Sequence, residues 1–334
     1  MPRLTLGIWA PAPQTIRPDP SVRSAFAALT EYGGGTDASY LYCADVVKKA
    51  EQIGFEICLI AQRYLGADLD SWVLATALAT QTKKIKILAA LHPGIADPRI
   101  AAKMGASIDR ISGGRFCINI VNGLRRDEFA IYGKWLDQEK PRYWRMSEFI
   151  SVMKGLWTQQ DFSFQGKYYQ IEHGKLPTKP IQNPYPPFYA ASRIDDGMDV
   201  VARECSTWFV NYDKDRGNYA QSLKRIEFEI GIMEQRVKAL GKTISYGINA
   251  LVLIGESDEQ AEEMAEEHLK FVASDPLCAV GTSGVGAALI GTPDTIAKRI
   301  RTYQSLGISL FMLHFYPMRE GMEDFAKKVL PLVR

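Results

Sequence analysis

Four histidines and five cysteines are few for 334 residues, and they are scattered along the chain. There is no CxxC and no Cys/His grouping at zinc-ligand spacing, so neither a structural metal nor a disulfide framework is expected. A charge bias is missing too: 40 basic against 38 acidic residues leave a net charge of +2. The basic residues are spread out, which removes nucleic acid and membrane surfaces from the expected partners. No apolar run is long enough to span a bilayer. The opening MPRLTLGIWAP has no secretory apolar core or cleavage site. Gly113-Gly114 lacks the GxGxxG setting of a dinucleotide site. These absences point to a cytoplasmic protein in a reducing setting, with Cys58 and Cys117 serving as small core residues.

What is present is an alternation of short apolar runs with longer amphipathic ones. Strands are expected over 4–10, 55–61, 85–91, 116–121, 188–191, 208–211, 248–254 and 309–315. Helical patterns fall at 40–53, 71–82, 98–111, 141–157, 195–205, 218–240, 258–273 and 293–306. Gly54 and Gly307 sit where a left-handed residue ends a helix before a strand. Ser257 to Gln260 fits a capping box, and Thr292-Pro293-Asp294 fits an N-cap followed by a first-turn proline and acid. Strands that read as nearly continuous apolar runs are covered on both faces. Eight such units in one chain argue for a single α/β domain over 1–334, a (β/α)8 TIM barrel, ahead of a doubly wound sheet. Two stretches interrupt the repeat. Residues 159–187 form an insertion after strand four, with a hairpin expected around 164–171. Residues 274–291, small and glycine-rich, form a second insertion before helix eight and are a candidate mobile lid.

In a barrel, chemistry gathers at the C-terminal ends of the strands. That rule selects Trp9, Gln62, Arg63, His92, Asn119, Asn122, Ser192, Arg193, Asn211 and His314, with Tyr64 beside Arg63. Asn119 is the most informative, because an amide inside an apolar strand needs partners for both of its ends. Satisfaction by neighbouring backbone and contact with a ligand in the barrel mouth both remain open. Arg63 suits an anionic or electron-rich ligand, or a surface ion pair. His92 and His314 suit proton transfer by their pKa range, or a hydrogen-bonded core position. Arg142-Tyr143 at a helix start, and Ser192-Arg193 before another helix, suit a phosphate. The aromatics Trp135, Tyr143, Trp144, Tyr168 and Tyr169 fit a flat ligand, core packing or an oligomer interface equally.

The ordered run KMGASIDRISGGRFCINIVNGLRRDEFAIYG, then PRYWRMSEFISVMKGLWTQ, then FSFQGKYYQI, resembles the bacterial luciferase-like flavin monooxygenases. The likeness runs from the first strand to the closing KVLPLVR. Within the family, WAP, HPGIADP and LWTQQDFSFQGKYY look most like the dimethyl-sulfone and alkanesulfonate enzymes, with the pyrimidine-ring-opening oxygenases next. The resemblance implies a TIM barrel that takes reduced FMN from a separate flavin reductase and uses O2 on a small organosulfur or heteroatom compound, with C–S cleavage among the outcomes. It implies Asn119, Glu128 and Arg63 at the flavin, and Arg142, Tyr143, Ser192 and Arg193 at its phosphate. Arg63, Asn119, His92 and His314 are the expected catalytic set, and Trp9, Tyr64, Asn122 and Asn211 the expected substrate set, by their places at the strand ends. A homodimer or homotetramer is expected, with no metal. The chain departs from the family after strand five, where it reads Ala191-Ser192-Arg193-Ile194-Asp195 and Asp195 is unfavourable if it lies close to a phosphate. It also has Gly123-Leu124 where relatives have GW. A deazaflavin-dependent hydride-transfer enzyme and a non-catalytic flavin-binding protein are the rival readings.

Overall fold

The apolar runs become the staves of a closed parallel ring. The computed structural model describes residues 2–13, 32–123, 125–135, 138–192, 194–210, 219–273 and 285–334. Strand β1 (Thr5–Trp9) is followed by α1 (Ala38–Ile53), β2 (Ile57–Ile60), α2 (Ser71–Gln81), β3 (Lys86–Leu91), α3 (Pro98–Ser112) and β4 (Phe116–Ile120). Next come a short helix α4 (Arg126–Tyr132), the long α5 (Glu139–Thr158) and a hairpin of β5 (Phe162–Gln165) with β6 (Gln170–Gly174). The ring resumes with β7 (Phe188–Ala191), α6 (Asp195–Glu204), β8 (Thr207–Phe209), α7 (Tyr219–Ala239), β9 (Ser245–Ile254) and α8 (Asp258–Ala273). A short β10 (Leu289–Gly291), α9 (Pro293–Ser305), β11 (Ile308–Phe315) and the C-terminal helices α10 (Met318–Asp324) and α11 (Leu330–Val333) complete it.

The sheet runs β10-β9-β11-β1-β2-β3-β4-β7-β8, and β8 pairs back onto β9 to close the barrel. All these pairings are parallel, as the helical crossovers require. The barrel is filled rather than hollow: Ile57, Leu59, Leu88, Cys117, Tyr189, Phe209, Leu310 and Met312 pack inside it. Gly7 on β1 makes room for that filling, since a Cβ there would stand 2.3 Å from the Met312 sulfur. The larger core lies between strands and helices, including Trp72, Phe116, Phe149, Trp157, Phe188 and Trp208.

Local chemistry places the helix ends. Asp37, Asp70, Asp97 and Thr292 cap α1, α2, α3 and α9 through first-turn amides. Ser257 Oγ accepts from Gln260 N at 3.2 Å, while the Gln260 side chain reaches back to Glu256 N at 2.7 Å. Gly54 and Gly307 have φ of 101° and 95°, the left-handed conformation their positions call for.

Three features differ from the pattern reading. The helix at 293–305 lies before the last ring strand, where the pattern puts it, so two helices, α8 and α9, lie between β9 and β11, and the last unit is closed instead by helices within 318–333 that the pattern reading lacked. The hairpin in the insertion spans 162–174, wider than 164–171, with Phe164 paired to Ile171. The three-residue β10 adds to β9 through Leu289↔Val252. Of the glycine-rich stretch 274–291, residues 274–284 lie outside the described residues, as do Leu124, Arg193, Asn211 and Cys278. Cys43, Cys58, Cys117 and Cys205 are buried free thiols, and burial pushes Cys117 up to about 12. Among the described residues no helix is long and apolar enough to cross a membrane.

Arg115, at the entry to β4, ties α2 to the sheet. Its guanidinium donates to the carbonyls of Ser112, Ile85, Ala79 and Thr82, and to Thr82 Oγ1. Arg115→Met leaves those α2-terminal carbonyls without their donor and should destabilise the fold by about 2–3 kcal/mol. Urea unfolding is the check, read as a lower midpoint at unchanged slope.

Candidate active site

Parallel strands deliver their C-terminal ends to one rim, and the side chains singled out in the sequence gather there in three groups. The first stands over β2, β3 and β4. Arg63 follows β2, and its Nε is buried without a hydrogen-bond partner among the described residues. His92 follows β3, is 4% exposed, and its Nδ1 is likewise unpartnered. Burial, and then the Arg63 charge, pull the His92 pKa down to about 4 against an opposing Gln62 backbone bond, so the ring is neutral at ordinary pH. Asn119 lies on β4 in register with Ala90 and Tyr189. Its carboxamide is half-buried and has no hydrogen bond among the described residues.

Glu128, 1% exposed on α4, accepts from the Tyr64 amide at 3.2 Å. Tyr64 meets His92 edge-on at 5.7 Å and Tyr132 at 5.4 Å. Burial, then Asp70 and Glu128, raise the Tyr64 phenol, which keeps it protonated. Behind this group Arg145 reaches out of α5, donating to Lys134 O at 2.7 Å and Pro93 O at 3.1 Å.

The second group stands at the start of α5 and α6. Arg142 lies with its guanidinium carbon 4.4 Å from the centre of the Trp135 ring. Tyr143, Ser192 and Gly197 converge: a Cβ on Gly197 would fall 2.0 Å from Ser192 Oγ and 2.5 Å from the Tyr143 ring. Asn122 is engaged with backbone. In the orientation that satisfies it, its nitrogen donates to Arg142 O at 3.0 Å and its oxygen accepts from Tyr143 N at 3.2 Å. It therefore fixes the 142–143 pair to the end of β4. Asp195 does not press on this place, because its carboxylate pairs with Arg236 at 2.9 Å and is 87% exposed. Asp196 pairs with Lys140 at 2.9 Å.

The third group stands over β1, β9 and β11. Trp9 meets His314 edge-on at 5.4 Å, and its Nε1 donates to Asn249 Oδ1 at 3.3 Å. Burial, then His268, pull His314 down to about 4. Asn249 was absent from the candidates, although the signal that selected Asn119, an amide within an apolar strand, applies to it equally. Gln62 belongs to the fold: it accepts from Ser71 N at 2.6 Å and donates to Asp70 at 3.1 Å. Among the described residues no cluster of three or more His, Cys, Asp or Glu could hold a metal.

A filled parallel barrel whose C-terminal rim holds a guanidinium, two neutral imidazoles and a tight cradle at two helix starts is built as enzymes of this fold are built. The chain belongs to the luciferase-like monooxygenase family, whose model matches residues 21–310. It is 32% identical over 327 residues to an FMNH2-dependent dimethylsulfone monooxygenase of Pseudomonas putida, covering 88% of each protein. The fold is shared with EDTA monooxygenase from Chelativorans sp. BNC1, at a TM-score of 0.76 and 18% identity over 99% of this chain and 93% of that one. It is shared as well with an F420-dependent secondary alcohol dehydrogenase, at 0.73 and 17% over 99% of each.

The two buried histidines set a pH dependence. Their folded pKa of about 4 lies below an unfolded value near 6.5. The unfolded chain therefore binds more protons in that interval. Their stabilisation is complete above pH 6.5 and is lost as the pH falls toward 4. Each contributes about 3 kcal/mol across that window. His92→Gln should flatten stability against pH between 6.5 and 4, as seen in urea midpoints; an unchanged slope would mean that His92 titrates normally.

Proposed function

We propose that this chain is the oxygenase component of a two-component flavin monooxygenase. It takes reduced FMN from a separate, transiently bound flavin reductase and uses O2 to oxidise a small organosulfur or other heteroatom compound. A cytoplasmic homodimer or homotetramer belongs to the same reading. The observation that carries it is Arg63, whose buried Nε has no hydrogen-bond partner among the described residues and whose charge acts on a neutral His92, with Asn119 on the neighbouring strand β4. A guanidinium in that state suits an electron-rich, anionic ring system. The substrate class draws support from the dimethylsulfone enzyme that the chain resembles over most of its length.

The residues fit the cofactor. Tyr143 and Ser192 close a space too tight for a Cβ on Gly197, and with Arg142 they would hold the FMN phosphate at the α5 and α6 starts. Arg63 and Asn119 would hold the ring edge, and Glu128 orients Tyr64 through its amide. Bound FMN supplies the two electrons that let one atom of O2 enter the substrate and the other leave as water. Arg63 would stabilise negative charge that grows at the reacting oxygen. His92, uncharged above about pH 4, offers a ring nitrogen for a proton on the reacting atoms without repelling Arg63. With a methyl sulfone, oxygen inserted into a C–H bond beside sulfur gives a hydroxymethyl sulfone. This splits into a sulfinate and formaldehyde, so the C–S bond breaks with no further oxidant.

The test is an anaerobic titration with reduced FMN followed by tryptophan fluorescence, with oxidised FMN and a deazaflavin as controls. Selective, saturable binding of reduced FMN is expected, weakened about tenfold, or about 1.4 kcal/mol, in Arg63→Ala. Asn119→Ala should lower the yield of oxidised dimethyl sulfone per reduced FMN consumed. Preference for the deazaflavin, or equal affinity in the Arg63 variant, would overturn this assignment.

A further inference from the structure

Around the eight-stranded ring the order is β11, β1, β2, β3, β4, β7, β8, β9. By that order β1 stands diametrically across from β7. Ser192, at the proposed phosphate cradle, follows β7, and Trp9 ends β1. The Trp9 group is therefore as far around the mouth from the cradle as the barrel allows. The Trp9 indole also reaches sideways. Its bonding partner Asn249 lies on β9, and β11 runs between β1 and β9. Asn249 is in register with Met312. The indole thus passes over the filled barrel interior to reach its acceptor.

The edge of β9 that faces away from β11 pairs with β8 only over residues 245–247 and with β10 only over 252–254. Between them, residues 248–251 have no strand partner on that edge among the described residues. Asn249 thus stands two residues beyond the last β8 pairing among the described residues.

We propose that Asn249 is a positioning residue for the substrate: by accepting the Trp9 Nε1 proton it fixes the indole as the substrate-side wall of the mouth, opposite the cofactor cradle. A buried indole N–H is held firmly only when an acceptor meets it. Without Asn249 Oδ1 the ring is free to turn about its side-chain torsions, and the wall loses its shape. His314 closes the same wall from β11, edge-on to Trp9 and uncharged. Asn249 acts through Trp9, so the two should behave as one unit.

The kinetic arm rests on the flavin-monooxygenase reading; the spectroscopic arm does not. Asn249→Leu, Trp9→Phe and the double variant are compared with the parent protein. The KM for dimethyl sulfone should rise about tenfold in each single variant and no further in the double, with the Kd for reduced FMN changed less than twofold. The Trp9 contribution to emission, taken as the difference between Asn249→Leu variants with and without Trp9→Phe, should shift to the red and quench more readily with acrylamide than in the parent pair. A double variant near a hundredfold would show two independent contacts and overturn the proposal, as would a matching loss of reduced-FMN affinity or an unmoved Trp9 emission. If the parent protein does not turn over dimethyl sulfone, the substrate assignment fails and emission alone decides: a shift sustains the Asn249–Trp9 unit, and no shift ends it. Should Asn249→Leu fail to fold, Trp9→Phe alone must still raise KM with reduced-FMN affinity unchanged.

Discussion

The rim of the barrel depends on one buried cation. Arg145 is 4% exposed and donates to backbone carbonyls, Pro93 O on one side and Lys134 O on the other. Burial lowers its pKa, with Arg142 adding repulsion and Tyr169 and Tyr168 opposing, yet a guanidinium stays charged. Its desolvation is offset by oriented carbonyl dipoles in a low-dielectric setting. The backbone has accommodated it closely. Gly94 has φ of 98°, and a Cβ there would lie 2.1 Å from the Arg145 guanidinium carbon. Gly133 passes so near that its Cβ would meet Gly94 O at 2.2 Å, and Lys134 N donates to that same oxygen at 2.9 Å. The loop carrying His92 and the segment carrying Trp135 are thereby fastened to α5, and α5 carries Arg142 and Tyr143.

This fastening separates charge from neutrality across the mouth. Arg63, Arg142 and Arg145 surround the β2–β4 and α5 side, where an anionic cofactor is proposed. The histidines differ in kind: burial strips both of their charge, and each has a second cation-forming group nearby that pushes the same way, Arg63 for His92 and His268 for His314. The cationic side thus gains no competing imidazolium, and the histidine that meets Trp9 is uncharged. The acids near the proposed phosphate cradle are drawn outward into pairs with Arg236 and Lys140.

Much of this was legible in the chain because strand and helix patterns are local. Apolar runs located all eight ring strands, and Gly54, Gly307, Ser257 and Thr292 located helix ends, since capping involves residues three or four apart. Asn119 stood out because an amide is costly in an apolar strand. What escaped notice was set by contacts between distant residues. Arg145 reads as any arginine on an amphipathic helix until its two carbonyls, 11 and 52 residues away, are known. Asp195 read as a hindrance to phosphate because Arg236, 41 residues on, is invisible to local pattern. Asn122 read as a substrate contact, whereas the fold uses its amide to pin residues 142–143. The strand β10 is three residues long, too short to show a period.

Closure of the ring between β8 and β9 shows why such contacts matter more at this barrel's mouth than at its base. Strand β8 is only three residues long and β9 is ten. They pair at Thr207↔Ser245 through Phe209↔Gly247, with Val210 N bonding Gly247 O at 2.8 Å as the last step. Gly247 is needed there, because a Cβ would sit 2.9 Å from the Phe209 ring. Beyond that step β9 is paired, among the described residues, with β11 on one edge and with β10 at its far end. A side-chain bridge from β1 to β9, Trp9 to Asn249, crosses β11 from inside and ties β9 to the far neighbour of β11. The bridge gives β9 a second hold on its β11 side beyond the last β8 pairing among the described residues, and it places a polar group in the barrel mouth.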